Sequence, residues 1–300
     1  MSSRFGEYLR EFDSYPKMVI YNFMITHGGI SDCIKFFMFF LEYCIDRKIR
    51  LYYLRNNIPI EKYVFVKHEK MVLSEPQILR PMIQIHNHED MHRIADVPGA
   101  CYVVYPMTFY STFSFEKIRV PFSEVFAFSQ TVTNNSLRIS PEALHSILPE
   151  CTESHSYVSF HLRLGDKFLE TDKSYVKCKE DKRPFDLVAS IYEINRHIFM
   201  GSSVVLFCDN QKYKNIIMKK CPGLMGTSAI IGHTSLVNTT DQQVMDAVSE
   251  FYIMTRSSKI VALSYSGFSL AAAKFNRVPI ECIYEDAESS SSETICGMGI

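Results

Sequence analysis

The stretch Val158-Ser159-Phe160-His161-Leu162-Arg163-Leu164-Gly165-Asp166 has the pattern of a buried strand that runs into a glycine turn. Along a strand, Val158, Phe160 and Leu162 share one face, and His161 and Arg163 share the other. Open parallel sheets bind ligands at the carboxyl ends of their strands. Because a guanidinium can contact a diphosphate through two parallel hydrogen bonds, Arg163 is a candidate anion ligand.

Strand and helix patterns alternate around this stretch. In the second half of the chain, strands are predicted at 158–163, 204–208, 229–231, 260–263 and 278–283. Pro184 suits the first turn of a helix, and Thr240 to Gln243 form a capping box before another. This alternation predicts a doubly wound parallel sheet.

The first half opens with a predicted strand at 17–25, the turn Thr26-His27-Gly28-Gly29, and a helix with Ser31 as its N-cap. Further strands are predicted at 49–54, 63–66, 83–85 and 101–105, and a helix from 122 to about 131. We therefore expect an α/β domain at 1–150, a Rossmann-like domain at 151–285, and a disordered, acidic and serine-rich tail at 286–300.

The composition narrows the class of protein. Of 300 residues, 47% are apolar, which supplies a core, and a formal net charge of -1 offers no broad surface for nucleic acid. The nine cysteines include no Cys-x-x-Cys pair, so neither a disulfide framework nor a zinc site is expected. The apolar stretch 34–45 is too short for a membrane span, and no signal-peptide core is visible. We expect a cytoplasmic enzyme without an integral membrane segment.

Polar residues follow two other predicted strands. Asp209 and Asn210 come after the strand at 204–208 and could contact a nucleoside, as could Asp246 on a following helix. The turn Ser266-Gly267-Phe268-Ser269 precedes a small, helix-forming run, so hydroxyls and N–H groups would gather at a helix N-terminus that suits phosphate.

Each of these features also has a purely structural interpretation. Arg163 could form an ion pair with Asp166 at a strand end. Ser266 could be a simple N-cap, and Asp246 an ordinary solvated helix carboxylate.

Taken together, these residues resemble a known family. His161-Leu162-Arg163-Leu164-Gly165-Asp166 is similar to the arginine motif of the α-1,2-, α-1,6- and protein O-fucosyltransferase superfamily. Asp209 resembles its second motif, and Asp246 with the downstream turn at 266–269 resembles its third. The segment Gly28-Gly29-Ile30-Ser31-Asp32 is similar to the glycine-rich first turn of these enzymes. The resemblance is most specific over 157–276, and it implies a GT-B-like fold of two Rossmann-like domains with a donor cleft between them.

The resemblance also implies roles for single residues. Arg163 would bind the diphosphate of GDP-fucose, 266–269 would form the pyrophosphate turn, and Asp246 would help to hold the guanosine. Leu164 departs from the subfamilies that carry two adjacent arginines, which leaves the linkage and the acceptor open. The predicted donor-binding residues are Gly28, Gly29, His161, Arg163, Asp166, Asp209, Asn210, Asp246, Ser266, Gly267, Phe268 and Ser269.

No cofactor or metal is expected beyond the sugar nucleotide, because the chain lacks the Asp-x-Asp pair with which many glycosyltransferases hold a divalent ion. His86, His88 and His92 have metal-ligand chemistry, but a polar surface segment explains them without a metal. For the catalytic base, His27 and Asp32 are the candidates. Either could instead be structural, and such transfer can proceed with little help from a base.

The sequence thus predicts an inverting, metal-independent transferase that moves fucose from GDP-fucose to a glycan, a glycoprotein or another hydroxyl acceptor. Two alternatives stay open. The enzyme could use another GDP-sugar, since phosphate and guanine contacts do not identify the sugar. The chain could also be a non-catalytic glycan- or nucleotide-binding protein on the same fold.

Overall fold

The chain forms two compact units, Met1–Ala127 and Phe128–Ile300, in a computed structural model. The predicted tail at 286–300 lies outside the described residues. No helix in the described ranges combines the length and apolar composition that a bilayer crossing requires. The structure describes residues 3–24, 28–74, 82–86, 89–91, 93–94, 101–104, 106–109, 113–146, 148, 157–165, 184–199, 201–232, 234, 239–264 and 266–283.

The first unit is built on a five-stranded parallel sheet whose first strand lies in the middle. The strands follow the order β4-β2-β1-β6-β5, and β3 and β7 form a separate two-stranded sheet. The α/β character predicted for this half is confirmed. Its elements are α1 (Arg4–Glu11), β1 (Met18–Asn22), α2 (Ile30–Arg47), β2 (Arg50–Leu54), β3 (Val64–Val66), β4 (Val72–Leu73), β5 (Met82–Ile85), β6 (Cys101–Val104), α3 (Phe122–Val125) and β7 (Phe126–Phe128).

Two local predictions for this unit are wrong. The N-cap of α2 is Gly29 and not Ser31, because the Asp32 carboxylate accepts the Gly29 N–H at 3.0 Å and so starts the helix earlier. The single helix predicted at 122–131 is divided into α3, β7 and a new helix after Ser129, since the apolar residues at 126–128 join the sheet with β3.

The second unit repeats this plan. Its five-stranded sheet has the order β10-β9-β8-β11-β12, and all four pairings are parallel. The doubly wound sheet predicted from the sequence is therefore confirmed. Its elements are α4 (Gln130–Ile139), β8 (Tyr157–Leu162), α5 (Phe185–Ile194), β9 (Ser203–Cys208), α6 (Gln211–Lys220), β10 (Leu224–Gly226), α7 (Asp241–Met254), β11 (Lys259–Ala262), α8 (Gly267–Asn276) and β12 (Ile280–Cys282).

The central strand β8 is buried on both faces. Val158, Phe160 and Leu162 pack in the hydrophobic core with residues of α5 and β9, as their alternation predicts. On the other face, the His161 ring lies against Phe268 of α8, with 5.8 Å between ring centroids. Helices on both sides thus exclude water from β8, and its carboxyl end leads out of the core toward Arg163.

Two predicted features of this unit need correction and a third is confirmed. The strand at 229–231 is absent; β10 ends at Gly226, and beyond it the Thr227 hydroxyl donates to Glu250 of α7 and the Ile230 N–H donates to Asp246 of α7. Pro184 is the N-cap of α5 rather than its first residue. The capping box of α7 is confirmed, with Thr240 Oγ1 accepting the Gln243 N–H at 3.2 Å.

The division between units falls at 127/128 rather than at the predicted 150/151. The cause is α4, which packs against α7 of the second unit. The Asn135 carboxamide on α4 donates from Nδ2 to Asp246 Oδ1 and to Ser249 Oγ, both at 2.9 Å. Such contacts between residues more than 100 positions apart leave no signal in the local sequence pattern.

A buried ion pair connects three elements of the second unit. The Lys214 side chain on α6 is fully buried, and its Nζ donates to Glu250 Oε1 on α7 at 2.9 Å and to Thr227 Oγ1 at 2.8 Å. Thr227 Oγ in turn donates to the Glu250 carboxylate. Burial raises the pKa of Glu250, and the Lys214 charge opposes that rise. The pair therefore fixes the segment after β10 at the cost of desolvating two charges.

Removal of one member of this pair leaves the other charge buried without compensation. We expect Glu250→Leu to lower the free energy of unfolding by about 3–5 kcal/mol, as for other broken buried pairs. The double variant Lys214→Met/Glu250→Leu should recover most of that loss, because no charge stays buried. Urea unfolding of the wild type, both single variants and the double variant measures this. Additive losses in the double variant would contradict the ion-pair interpretation.

Candidate active site

The site lies where the strand order of the second sheet changes direction. From β8 the chain adds β9 and β10 on one side and β11 and β12 on the other. The ends of β8 and β11 therefore flank the switch point, which is where open α/β sheets bind ligands. At this point the Arg163 N–H donates to Ser264 Oγ at 3.1 Å. Ser264 is not among the predicted site residues, although it stands in the polar run after β11.

Asp209 holds Arg163 and the turn that follows it. The carboxylate, which leaves the end of β9, lies 3.1 Å from Arg163 Nη1. Its two oxygens also accept the N–H groups of Leu164 at 2.8 Å and Gly165 at 3.1 Å. Gly165 has φ = 100°, a conformation that glycine adopts without strain, so the chain can turn directly after the two N–H groups that Asp209 accepts.

The electrostatics of Asp209 favour this fixed geometry. Burial raises the pKa of its carboxyl, and the Arg163 charge together with the N–H groups of Leu164 and Gly165 opposes the rise. The Arg163 side chain keeps 29% of its surface exposed, whereas the Asp209 side chain keeps 5%. A buried carboxylate thus holds a cation that still faces solvent. Asp166, the partner considered from the sequence, lies outside the described residues.

His161 lies on the same face of β8 and is 5% exposed. Burial, followed by the charge of Arg163, lowers its pKa to about 3. Its Nδ1 has no hydrogen-bond partner in the described part of the chain. The imidazole is therefore neutral at physiological pH, and Arg163 is the cation of this pair.

The N-terminus of α8 adjoins Arg163 through Ser264. Ser266 is the N-cap, as predicted, and its Oγ accepts the Phe268 N–H at 3.3 Å. The N–H groups of Gly267 and Ser269 are in the first turn, where a helix supplies no acceptor of its own. Ser269 Oγ donates to the Ser266 carbonyl at 3.2 Å and is fully buried, so its hydroxyl is used within the helix.

Two further predicted residues have structural partners. Asn210 is the N-cap of α6, where its Oδ1 accepts the Tyr213 N–H at 2.8 Å. Asp246 is 3% exposed, so it is not a solvated surface carboxylate. Contact with guanosine remains a prediction for Asp246, whose carboxylate already accepts from four donors. Those donors are Asn135 Nδ2, Arg138 Nη2 and Gln242 Nε2 to Oδ1, and the Ile230 N–H to Oδ2.

In the first unit, Gly28 and Gly29 precede α2 as predicted. Gly28 has φ = 135°, and a Cβ there would lie 2.4 Å from Asp32 Oδ2, so only glycine fits. The other oxygen of Asp32 pairs with Lys35 Nζ at 2.6 Å. Asp32 is thus a capping residue in an ion pair, and a role as base would require it to leave these partners. His27 lies outside the described residues.

Only part of the histidine segment 86–92, which was considered as a metal site, lies in the described residues. His88 and His92 lie outside the described residues. Asp90 accepts the His86 N–H at 3.2 Å and pairs with Arg93 at 3.6 Å. Within the described ranges, no group of three or more His, Cys, Asp or Glu side chains is arranged to hold a metal ion.

The low pKa of His161 predicts a pH dependence of stability. In the unfolded chain the imidazole takes up its proton near pH 6.5, and in the folded chain only near pH 3. Acidification from pH 6.5 to 5 should therefore lower the free energy of unfolding by about 2 kcal/mol through this residue. His161→Phe keeps an aromatic ring and removes that component, which urea unfolding at several pH values measures. His197→Phe, at an exposed position, is the matched control, and parallel curves for wild type and His161→Phe would refute the assignment.

Comparison with solved structures identifies proteins with a similar fold. No protein-family model and no curated protein matches the chain. Among solved structures, the α-1,6-fucosyltransferase NodZ of Bradyrhizobium co-crystallised with GDP aligns at 13% identity over 90% of this chain and 95% of its own, with a TM-score of 0.55. NodZ soaked with GDP-fucose aligns at 12% identity over 90% of this chain and 95% of its own, with a TM-score of 0.52.

A plant protein gives the same result. A mutant of Arabidopsis thaliana FUT1 in complex with GDP aligns at 10% identity over 95% of this chain and 75% of its own, with a TM-score of 0.56. At these identities the likeness concerns the fold. The chain has the two-domain α/β GT-B fold found in these fucosyltransferases.

Proposed function

We propose that this protein is an inverting glycosyltransferase that transfers fucose from GDP-fucose to a hydroxyl acceptor. The observation that carries the proposal is the guanidinium of Arg163, which Asp209 holds at the switch point of the second sheet beside the N-terminus of α8. The fold that the chain shares with NodZ, of which structures with GDP and after soaking with GDP-fucose exist, supports the same donor.

The arrangement suits a diphosphate. A guanidinium binds phosphate oxygens through parallel hydrogen bonds, and the N–H groups of the first turn of α8 add partial positive charge. Asp209 limits the motion of Arg163, so that little conformational entropy is lost when the anion binds. With these groups in place of an Asp-x-Asp pair, we propose that the transfer needs no divalent ion.

In the reaction, the acceptor oxygen bonds to C1 of the sugar on the face opposite GDP while the bond from C1 to the phosphate oxygen breaks. The electron pair of that bond leaves with GDP, and the proton of the acceptor passes to a base or to water. Negative charge on the diphosphate grows along this path, so Arg163 stabilises the transition state more than the ground state. His27 and Asp32 stay the candidate bases.

Neutral His161 contributes by packing, whereas Arg163 contributes by its charge. A protonated imidazole beside Arg163 would raise the positive charge of the site, but it would also destabilise the buried strand. Its neutral ring instead packs against Phe268 and keeps the start of α8 close to the end of β8. We propose that it shapes the donor site rather than exchanging protons.

GDP and GDP-fucose should raise the melting temperature of the protein in buffer that contains EDTA and no magnesium. At a ligand concentration of 100 times Kd, binding adds about 2.7 kcal/mol to the free energy of unfolding. UDP-galactose, which carries uracil in place of guanine, tests recognition of the nucleobase. GDP-mannose tests whether the protein prefers GDP-fucose to another GDP-sugar. An absolute requirement for a divalent ion would contradict the metal-free mechanism, and equal stabilisation by all four nucleotides would contradict the choice of donor.

Arg163→Lys keeps the charge but loses the planar fork, so turnover of GDP-fucose should fall by about 10²–10³, and Arg163→Ala should lower it further. Arg163→Lys keeps a cation beside the buried Asp209 carboxylate and should change the melting temperature little, whereas Arg163→Ala removes that cation and should also lower the melting temperature, so turnover is compared per folded protein. Arg196→Lys, at an exposed arginine of the same unit that pairs with Glu193, is the matched control. Release of GDP with a mixture of glycan acceptors gives the readout.

The outcome also separates an enzyme from a non-catalytic binder. A folded Arg163→Ala protein with wild-type turnover would remove the central residue of the proposal. Tight GDP binding by the wild type without GDP-fucose turnover on any acceptor would favour the binding protein.

A further inference from the structure

The carboxyl edge of the first sheet carries two asparagines that no step of the donor chemistry uses. Asn22 is the last residue of β1, and Asn56 follows the neighbouring strand β2 by two residues. The register pairs Asn22 with Leu54, so both side chains leave the same edge of the sheet. The central strand β1 borders the switch point of this sheet, where β2 lies on one side and β6 on the other.

The orientation of both carboxamides follows from their contacts. The Asn56 side chain lies 2.7 Å from the backbone carbonyl of Phe23, which can only accept, so the contacting atom is Nδ2. The same Nδ2 lies 2.8 Å from the Asn22 side chain, which must therefore present its Oδ1. The remaining polar atoms of the two linked amides, the donor Asn22 Nδ2 and the acceptor Asn56 Oδ1, have no partner in the described part of the chain.

Other side chains fix this pair before any ligand arrives. Glu61 Oε1 accepts the Asn56 N–H at 3.2 Å and the Tyr53 hydroxyl at 2.9 Å. Burial raises the pKa of Glu61, and these two hydrogen bonds oppose the rise. Two residues beyond Asn22, the side chain of Met24 is 46% exposed and adds apolar surface next to the polar pair.

We propose that Asn22 and Asn56 form a hydroxyl-recognition subsite for a saccharide, with Asn22 Nδ2 donating to one hydroxyl oxygen and Asn56 Oδ1 accepting from its neighbour. Adjacent sugar hydroxyls supply an acceptor and a donor side by side, and the C–H face of a sugar ring suits an apolar neighbour such as Met24. The two groups that would contact the saccharide are uncharged amides, as expected for a ligand without charge. Only the statement that this saccharide is the acceptor of the transfer rests on the proposed function.

Saturation-transfer NMR on the full chain without GDP tests the subsite directly. The probes are methyl β-D-galactopyranoside, methyl α-D-mannopyranoside and methyl N-acetyl-β-D-glucosaminide, with 2-methoxytetrahydropyran as a ring that lacks these hydroxyls. We expect binding of at least one glycoside and none of the control ring. Asn22→Ala should weaken that binding by roughly three- to tenfold, the effect of losing one or two neutral hydrogen bonds. Asn215→Ala, an exposed asparagine on α6, should leave it unchanged.

The outcomes separate this inference from the proposed function. Glycoside binding that Asn22→Ala leaves unaltered, or no glycoside binding at about 10 mM, overturns the subsite even if GDP binds. Binding that depends on Asn22 supports the subsite even if GDP fails to bind, and in that case only the transferase proposal falls. The melting temperature of Asn22→Ala shows that a loss of binding is not a loss of fold.

Discussion

The second unit depends on one buried carboxylate. Asp209 lies at the end of β9, and it satisfies its oxygens with the Arg163 guanidinium and with two N–H groups of the turn after β8. Without these donors a carboxylate buried to this degree would be protonated or would destabilise the fold. With them, two neighbouring strand ends become one rigid unit. The position of the cation is therefore set by the folding of the sheet rather than by the arrival of a ligand.

Helix α7 carries two more buried carboxylates that are satisfied by protein donors. Asp246 and Glu250 lie one helical turn apart and are both buried. Asp246 accepts the Ile230 N–H, and Glu250 accepts from Thr227. Together they hold the irregular segment after β10, whose backbone groups have no strand partner there. The irregular segment after β10 is thus fixed by two helix carboxylates, through the backbone N–H of Ile230 and the hydroxyl of Thr227, and each carboxylate is also matched by a cation.

The sequence predicted what depends on local pattern. The alternation of Phe160 and Leu162 with His161 fixed the faces of β8, and the capping residues Thr240 and Ser266 marked two helix starts. It could not predict that Asp209 pairs with Arg163, because Asp209 becomes a neighbour of Arg163 only when β8 and β9 pair. The strand predicted at 229–231 failed for a related reason. Its apolar residues have a high β-strand propensity. That local preference is overridden by tertiary contacts of Thr227 and Ile230 with α7.

The two units share one strand arrangement but carry different chemical groups at the carboxyl edges of their sheets. In both sheets the first strand lies in the middle and the later strands are added on both sides, so each has a switch point beside its central strand. In the second unit the groups at that edge are a guanidinium and a helix N-terminus, which suit an anion. In the first unit, Asp32 and Lys35 neutralise each other, and the amides of Asn22 and Asn56 leave a donor and an acceptor without a described partner. A diphosphate is attracted by the first set and gains nothing from the second, whereas a neutral polyol can satisfy an amide pair without displacing an ion. The two edges therefore differ in the chemistry they offer, one to the charged donor and one to the uncharged acceptor of the proposed transfer.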